Sequence, residues 1–255
     1  MNAVKLKGGI RKAAVLGWHG TNQLLWPAVC INCRETICET DGGLCRKCWD
    51  ELLECTGGDY CRRCGRDASK FALIDGACGD CRTGGFAFDR IARAGVYDKS
   101  LKDMIVGLKR GRTELDMVLG SLADSALQGA GFSGEIEFLV PVPLHWSRRL
   151  ARGYNQSLVL AKRLNHEGAK INTDLVRVRR TKFQPTMRTA AARTRNVKGA
   201  FAVRKGHRFT GRAVCLVDDI KTTGATLNEC ARTLKEAGAS KVFALVLSVA
   251  GQSLR

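Results

Sequence analysis

Two hydrophobic periods alternate along the second half of the chain. Residues 213–217, Ala-Val-Cys-Leu-Val, form an unbroken apolar run of strand length and predict a strand buried on both faces. After a polar stretch, Leu227, Cys230, Ala231 and Leu234 recur at helical spacing, which predicts a helix opened by Thr226 and ended at Gly238. Residues 241–249 predict the next strand. Residues 137–144 predict another, followed by a basic turn and a helix through Leu164. Strand, helix and strand in succession imply α/β architecture, a parallel sheet flanked by helices, rather than a bundle or sandwich. The longest apolar run, residues 243–250, is far too short to span a bilayer.

Near the beginning, Lys5, Lys7, Arg11 and Lys12 precede four apolar residues, as in a secretion signal. Gly17, Trp18, His19 and Gly20 end that run at once, and no small-residue cleavage site follows, so the chain is expected in the cytoplasm. A short amphipathic helix over residues 11–25 is weakened by Gly17 and Gly20. A hydrophobic share of 45% over 255 residues suffices for one medium domain and a small one. The expected organisation is a tail over 1–23, a cysteine-rich module over 24–85 and an α/β domain over 86–255.

Twelve cysteines change that picture in its first third. Cys30 and Cys33 pair with Cys45 and Cys48 across eleven residues, and Cys61 and Cys64 with Cys78 and Cys81 across thirteen. This is metal-ligand spacing rather than disulfide spacing, because each Cys-x-x-Cys turn brings two thiolates to one ion and two turns complete a tetrahedron. Two closed zinc sites of structural type are expected. A module this small would take its folding energy from the metal. Cys38 and Cys55 fall outside the pairs and remain alternative ligands, so one or two ions fit the spacing; Cys215 and Cys230 read as small buried hydrophobes.

The net charge is +18, falling to about +14 if two tetrathiolate zinc sites form. Residues 145–212 hold 18 Lys and Arg against Glu167 and Asp174 alone. A polyanionic partner follows, either a phosphorylated small molecule or a nucleic-acid backbone.

The polar stretch between strand and helix carries the candidate chemistry: Asp218, Asp219, Ile220, Lys221, Thr222, Thr223, Gly224, Ala225 and Thr226. It falls at the carboxyl end of a parallel strand, where α/β proteins bind ligands. Thr222 to Thr226 offer hydroxyls and free N–H groups at a helix mouth, a cradle for an anion. Two carboxylates beside a phosphate would repel it, so Asp218 and Asp219 must face another part of the ligand, for which vicinal ribose hydroxyls and a nearby magnesium ion are suitable partners. This run resembles the phosphoribosyl pyrophosphate motif of type I phosphoribosyltransferases. The resemblance implies that Asp218 and Asp219 contact the ribose in the reaction and that Thr222 to Thr226 hold its 5′-phosphate. His145, Arg148, Arg149 and Arg152 resemble the pyrophosphate loop, although a solvated basic turn competes for any one arginine. Residues 180–199, with little apolar periodicity, read as the mobile loop that closes over substrate in such enzymes.

Taken in order, the cysteine pairs, Phe86 to Arg90, Leu108 to Gly111, Val140 to Leu144, Arg152 to Gln156, Arg195 to Phe201 and the final motif are similar to the ComF family over about residues 24–250. That family joins a double zinc ribbon to a phosphoribosyltransferase-like domain and is associated with DNA uptake in natural transformation. The resemblance implies binding of phosphoribosyl pyrophosphate, or a related phosphorylated ribose, with magnesium. It implies transfer of a phosphoribosyl group to an acceptor the sequence does not name, and a role near single-stranded DNA and DNA-uptake proteins. The aspartate that serves as base in 6-oxopurine enzymes is here Thr222, which disfavours purine salvage. A single-stranded-DNA-binding or regulatory protein reusing the fold stays open, with Tyr154 and Phe183 as stacking candidates.

Overall fold

A computed structural model of the protein describes residues 27–37, 43–165, 168–181 and 189–250, apart from the side chains of Arg148 and Arg149. The expected helix over residues 11–25 and Phe183 fall outside the described residues. The chain forms two compact units, Met1–Asp50 and Glu51–Arg255.

In the first unit Ile31 N donates to Gly43 O, which ties the first cysteine turn to the approach to the second, and Ile37 N donates to Ala28 O across the flanks of the first turn itself, each at 2.8 Å. Ile37 and Leu44 are its buried apolar side chains beside the cysteines. Helix α1 (Arg46–Cys55) begins here and carries Cys48 in its first turn.

The second unit continues from Glu51 through the later cysteine turns and the short α2 (Gly79–Thr83) into the α/β part. There β1 (Arg90–Val96), α3 (Lys99–Lys109), α4 (Asp116–Gln128), β2 (Phe138–Pro141), α5 (Trp146–Arg152), α6 (Gln156–Arg163) and β3 (Lys170–Ile171) follow in order. The chain then runs through β4 (Leu175–Arg177), α7 (Ala190–Val197), β5 (Phe201–Val203), β6 (Ala213–Lys221), α8 (Ala225–Glu236) and β7 (Lys241–Val249). The main sheet is wholly parallel in the order β1-β7-β6-β2-β3, while β4 and β5 make a small antiparallel pair.

Burial on both faces explains the continuous apolar runs of β6 and β7. Val214 and Leu216 of β6 join Leu227, Cys230, Ala231 and Leu234 of α8 in one buried cluster. Cys215 and Val217 alternate to the opposite face, where α4 and α6 pack on the sheet. Cys215 and Cys230 are both fully buried, as their apolar settings predict.

Three elements differ from the sequence pattern. Strand β6 runs on past Val217 because its backbone keeps pairing with β7, Asp218 opposite Val246 and Lys221 opposite Val249. The ladder outweighs the polarity of those side chains. Strand β2 stops at Pro141, before the second proline, Pro143, whose missing N–H ends a ladder. Residues 190–197, read as loop, form helix α7, in which Thr189 Oγ1 accepts from Ala192 N at 3.2 Å. Only Val197 of that helix is buried, so its apolar period was too faint to register.

Candidate functional site

Four sulfurs gather at each cysteine quartet, those of Cys30, Cys33, Cys45 and Cys48 and those of Cys61, Cys64, Cys78 and Cys81, all within 4.8 Å of one another in each set. Backbone donors point at them: Cys45 N lies 3.3 Å from Cys30 Sγ, and Cys78 N lies 3.2 Å from Cys61 Sγ. Burial is the largest single influence on Cys30 and opposes its ionisation. The N–H groups of Cys45, Cys33 and Asn32 together outweigh it and bring the thiol down to about 6. Cys61 is held at about 7 in the same way, by Cys78, Cys64 and Arg63. Four sulfurs to a centre, with one thiol in each set held low by backbone donors and no fifth ligand among the described residues, suit structural zinc. Cys55 joins neither set; it is buried, with its thiol donating to Asp98 O at 3.3 Å.

The carboxyl ends of β6 and β2 meet at a cavity of about 480 Å³. Val142 N donates to Val217 O at 2.9 Å, which draws the loop after β2 alongside the acidic end of β6. Asp218, Asp219, Thr222, Thr226 and Arg152 all line this cavity, so one space receives the acids, the helix mouth and the basic loop. Gly224 adopts φ +81° as the N-cap of α8, a left-handed conformation that glycine takes without strain. Thr223 faces the opposite way, its Oγ1 accepting from Ala225 N at 3.4 Å, and Ala225 is buried at the start of the helix.

Of the basic loop, Arg152 reaches the cavity and donates to Gln156 Oε1 at 3.1 Å. His145 does not line it: the ring is buried, with Nδ1 2.8 Å from Ser147 Oγ. Arg148 and Arg149 lie on α5, with side chains outside those described. Tyr154 donates its hydroxyl to Leu108 O and so serves packing.

Sequence reasoning missed several cavity residues. Lys109, from the end of α3, lies 3.0 Å from Asp219 Oδ2, and Ser157 of α6 donates to Asp218 Oδ1 at 3.0 Å. Arg177 and Arg193 come from β4 and α7. Each comes from an element other than the strand-to-helix run that carries the acids, so that run does not announce it, although Lys109 and Arg193 lie within stretches noted above for other reasons. Burial and the neighbouring charge of Asp219 push the Asp218 carboxyl up to about 7, against the opposing pull of Asp219 N–H, Lys109 and Ser157.

Family models describe the two parts directly: a double zinc ribbon domain matches residues 21–82 and a phosphoribosyl transferase domain matches residues 151–254. The protein is thus of the class that couples a cysteine-rich zinc module to a phosphoribosyltransferase fold. Competence protein F of Haemophilus influenzae is 32% identical over 221 residues, covering 84% of this chain and 93% of that protein. DNA utilization protein YhgH of Salmonella typhimurium is 31% identical over 223 residues, 85% and 94% of the two chains. Competence protein ComFC of Bacillus subtilis is 27% identical over 209 residues, 79% and 82%. The chain belongs to the ComF family of competence proteins. Among the described residues no helix is long and apolar enough to cross a membrane.

Proposed function

We propose that the protein binds phosphoribosyl pyrophosphate with magnesium at the cavity of Asp218 and Asp219 and transfers the phosphoribosyl group to an acceptor, in the cytoplasm and in the service of DNA uptake. One observation carries the reading: twin acids, a hydroxyl-lined helix mouth and an arginine line the same cavity. In that arrangement Asp218 and Asp219 receive the ribose hydroxyls, and Thr222 and Thr226 receive the 5′-phosphate at the positive end of α8. Arg152 steadies the pyrophosphate as its charge grows. Magnesium, when bound, would neutralise that leaving group. The bond from C1 to pyrophosphate breaks as the acceptor's nucleophile joins C1. Lys109, already paired with Asp219, must yield or share that carboxylate when ligand enters. The names borne by the relatives, competence and DNA utilization, support the link to DNA uptake.

Calorimetry with phosphoribosyl pyrophosphate and magnesium tests this reading. Asp218→Ala with Asp219→Ala is expected to weaken binding at least about 100-fold, the worth of two charge-assisted hydrogen bonds; unchanged affinity would remove the site. Binding should also strengthen as pH rises from about 6 to 8, because Asp218 must ionise to accept the ribose hydroxyls. The sign for stability is the reverse. A carboxyl raised on folding contributes stability in full below its unfolded value, and that contribution is lost as pH rises through 7. Asp218→Asn should flatten both dependences.

A further inference from the structure

Two stretches of the sequence, Leu108 to Gly111 and Arg152 to Gln156, dock on one another, because the Tyr154 hydroxyl donates to Leu108 O. Leu108 is fully buried, and a Cβ on Gly107 would stand 2.7 Å from Leu115 Cδ1, so the end of α3 is pressed close against the turn that follows it. Arg110 N donates to Gly107 O at 2.9 Å and closes the helix. The backbone at Lys109 is therefore fixed, while its side chain, 27% exposed, reaches into the cavity of Asp218 and Asp219. Tyr154 stands two residues after Arg152, which lines the same cavity. The contact between the two stretches thus brings Lys109 and Arg152 to one space.

The Lys109 ammonium lies 3.0 Å from Asp219 Oδ2, one of the two carboxylates that the proposed ligand needs for its ribose. Solvent reaches the lysine, so the pair is weak enough to exchange. An ammonium carries three donors on a flexible stem and can turn from a carboxylate to a phosphate oxygen without stranding any of them. The ligand brings two anionic groups, and the helix mouth at Thr222 and Thr226 takes the 5′-phosphate. The pyrophosphate is left for the cations of the docked stretches. Resting on that reading of the cavity, we infer that Lys109 is a ligand-binding residue that determines specificity: its ammonium turns from Asp219 to an oxygen of the pyrophosphate as the ligand enters, and frees Asp219 for the ribose hydroxyls. A phosphorylated ribose without pyrophosphate offers no such exchange and must compete with the ammonium for the carboxylate. Lys109 thereby favours the activated sugar over the spent one.

The test uses the zinc-loaded full chain, magnesium and two probes, phosphoribosyl pyrophosphate titrated by calorimetry and ribose 5-phosphate titrated as its competitor. In Lys109→Met the first should bind at least about ten-fold more weakly, the worth of one charge-assisted hydrogen bond. Ribose 5-phosphate should bind that variant as well as it binds the unaltered chain, or more tightly. Lys109→Arg, which keeps the charge, should retain most of the preference for pyrophosphate. Unchanged affinity of Lys109→Met for phosphoribosyl pyrophosphate overturns the inference. So does an equal loss for both probes, because the lysine would then only hold Asp219 in place. Failure of the underlying reading looks different: the unaltered chain would bind neither probe, or Asp218→Ala with Asp219→Ala would bind both as before. Loss of binding in the double aspartate variant together with full binding by Lys109→Met would keep that reading and discard the role of Lys109.

Discussion

The two cysteine quartets have the same ligands and nearly the same spacing, yet they are embedded differently. The first draws on backbone bonds within and between its own turns and on Ile37 and Leu44 within the unit that ends at Asp50. The second is stitched to the sheet of its unit. Ile91 N donates to Arg62 O at 2.8 Å, and a Cβ on Gly65 would meet Val249 Cγ2 at 3.0 Å. Asp67 pairs with Arg93 of β1. From the end of this module the chain passes directly to Phe86, which packs on Gly224, and to Ala87, whose N–H donates to Asn228 Oδ1 of α8 at 2.6 Å. One metal centre therefore organises a small module, whereas the other also braces the loop that carries the candidate ligand site.

Breaking each quartet in turn should give the largest contrast. Structural zinc supplies about 10–16 kcal/mol of apparent binding energy to small modules, so neither quartet survives loss of its ligands. Cys61→Ser with Cys64→Ser is expected to release one zinc and to lower the main calorimetric transition by more than about 5 °C, because the sheet loses its braced edge. Cys30→Ser with Cys33→Ser should also release one zinc but leave that transition within about 2 °C. Equal shifts would erase the distinction between the quartets. Zinc content measured on the same samples separates loss of metal from loss of fold.

Next in size is the ion pair that joins the second quartet's module to the sheet. The Arg93 side chain is 2% exposed and that of Asp67 15%, so removing one partner strands a buried charge. Arg93→Met should cost about 3–5 kcal/mol in chemical denaturation. Adding Asp67→Asn should recover most of that loss, since a neutral pair no longer carries a stranded charge. If the double variant is as unstable as the single, packing of the Arg93 stem, not its charge, holds the two parts together.

The sequence revealed most where chemistry is local. Four Cys-x-x-Cys turns fix their own sulfurs, and the run from Asp218 to Thr226 holds strand end, turn and helix mouth in one stretch, so both were legible. Long-range partners were not. Lys109, Ser157, Arg177 and Arg193 reach the cavity by folding; Lys109 and Arg193 stood within stretches already singled out, but neither they nor Ser157 and Arg177 could be assigned to this site from their neighbours in the chain. Lys221 was visible as a letter in the motif, but the Phe86 ring 4.8 Å from its ammonium is a contact across more than a hundred residues of chain. The basic loop shows the opposite error. His145 and Arg152 are near neighbours in sequence and looked alike as anion ligands, yet Arg152 lines the cavity and the His145 ring is buried against its own turn.

The smallest expected effect lies at the contact between Phe86 and the loop. Gly224 has φ +81°, and a Cβ there would stand 2.6 Å from Phe86 Cε1 and 2.9 Å from Lys221 Cε. Gly224→Ala therefore meets both a left-handed backbone and a ring that is itself stacked on Phe88 at 4.8 Å, and should cost about 1–3 kcal/mol. Adding Phe86→Ala removes the steric part and leaves the backbone part, so the pair should be less than additive. Because Phe86 connects the loop to the second quartet, the single variant should also speed zinc loss to a chelator from that quartet while the first keeps its rate. Matched acceleration at both quartets would mean that the substitution loosens the protein generally, and the brace would then not run through Phe86.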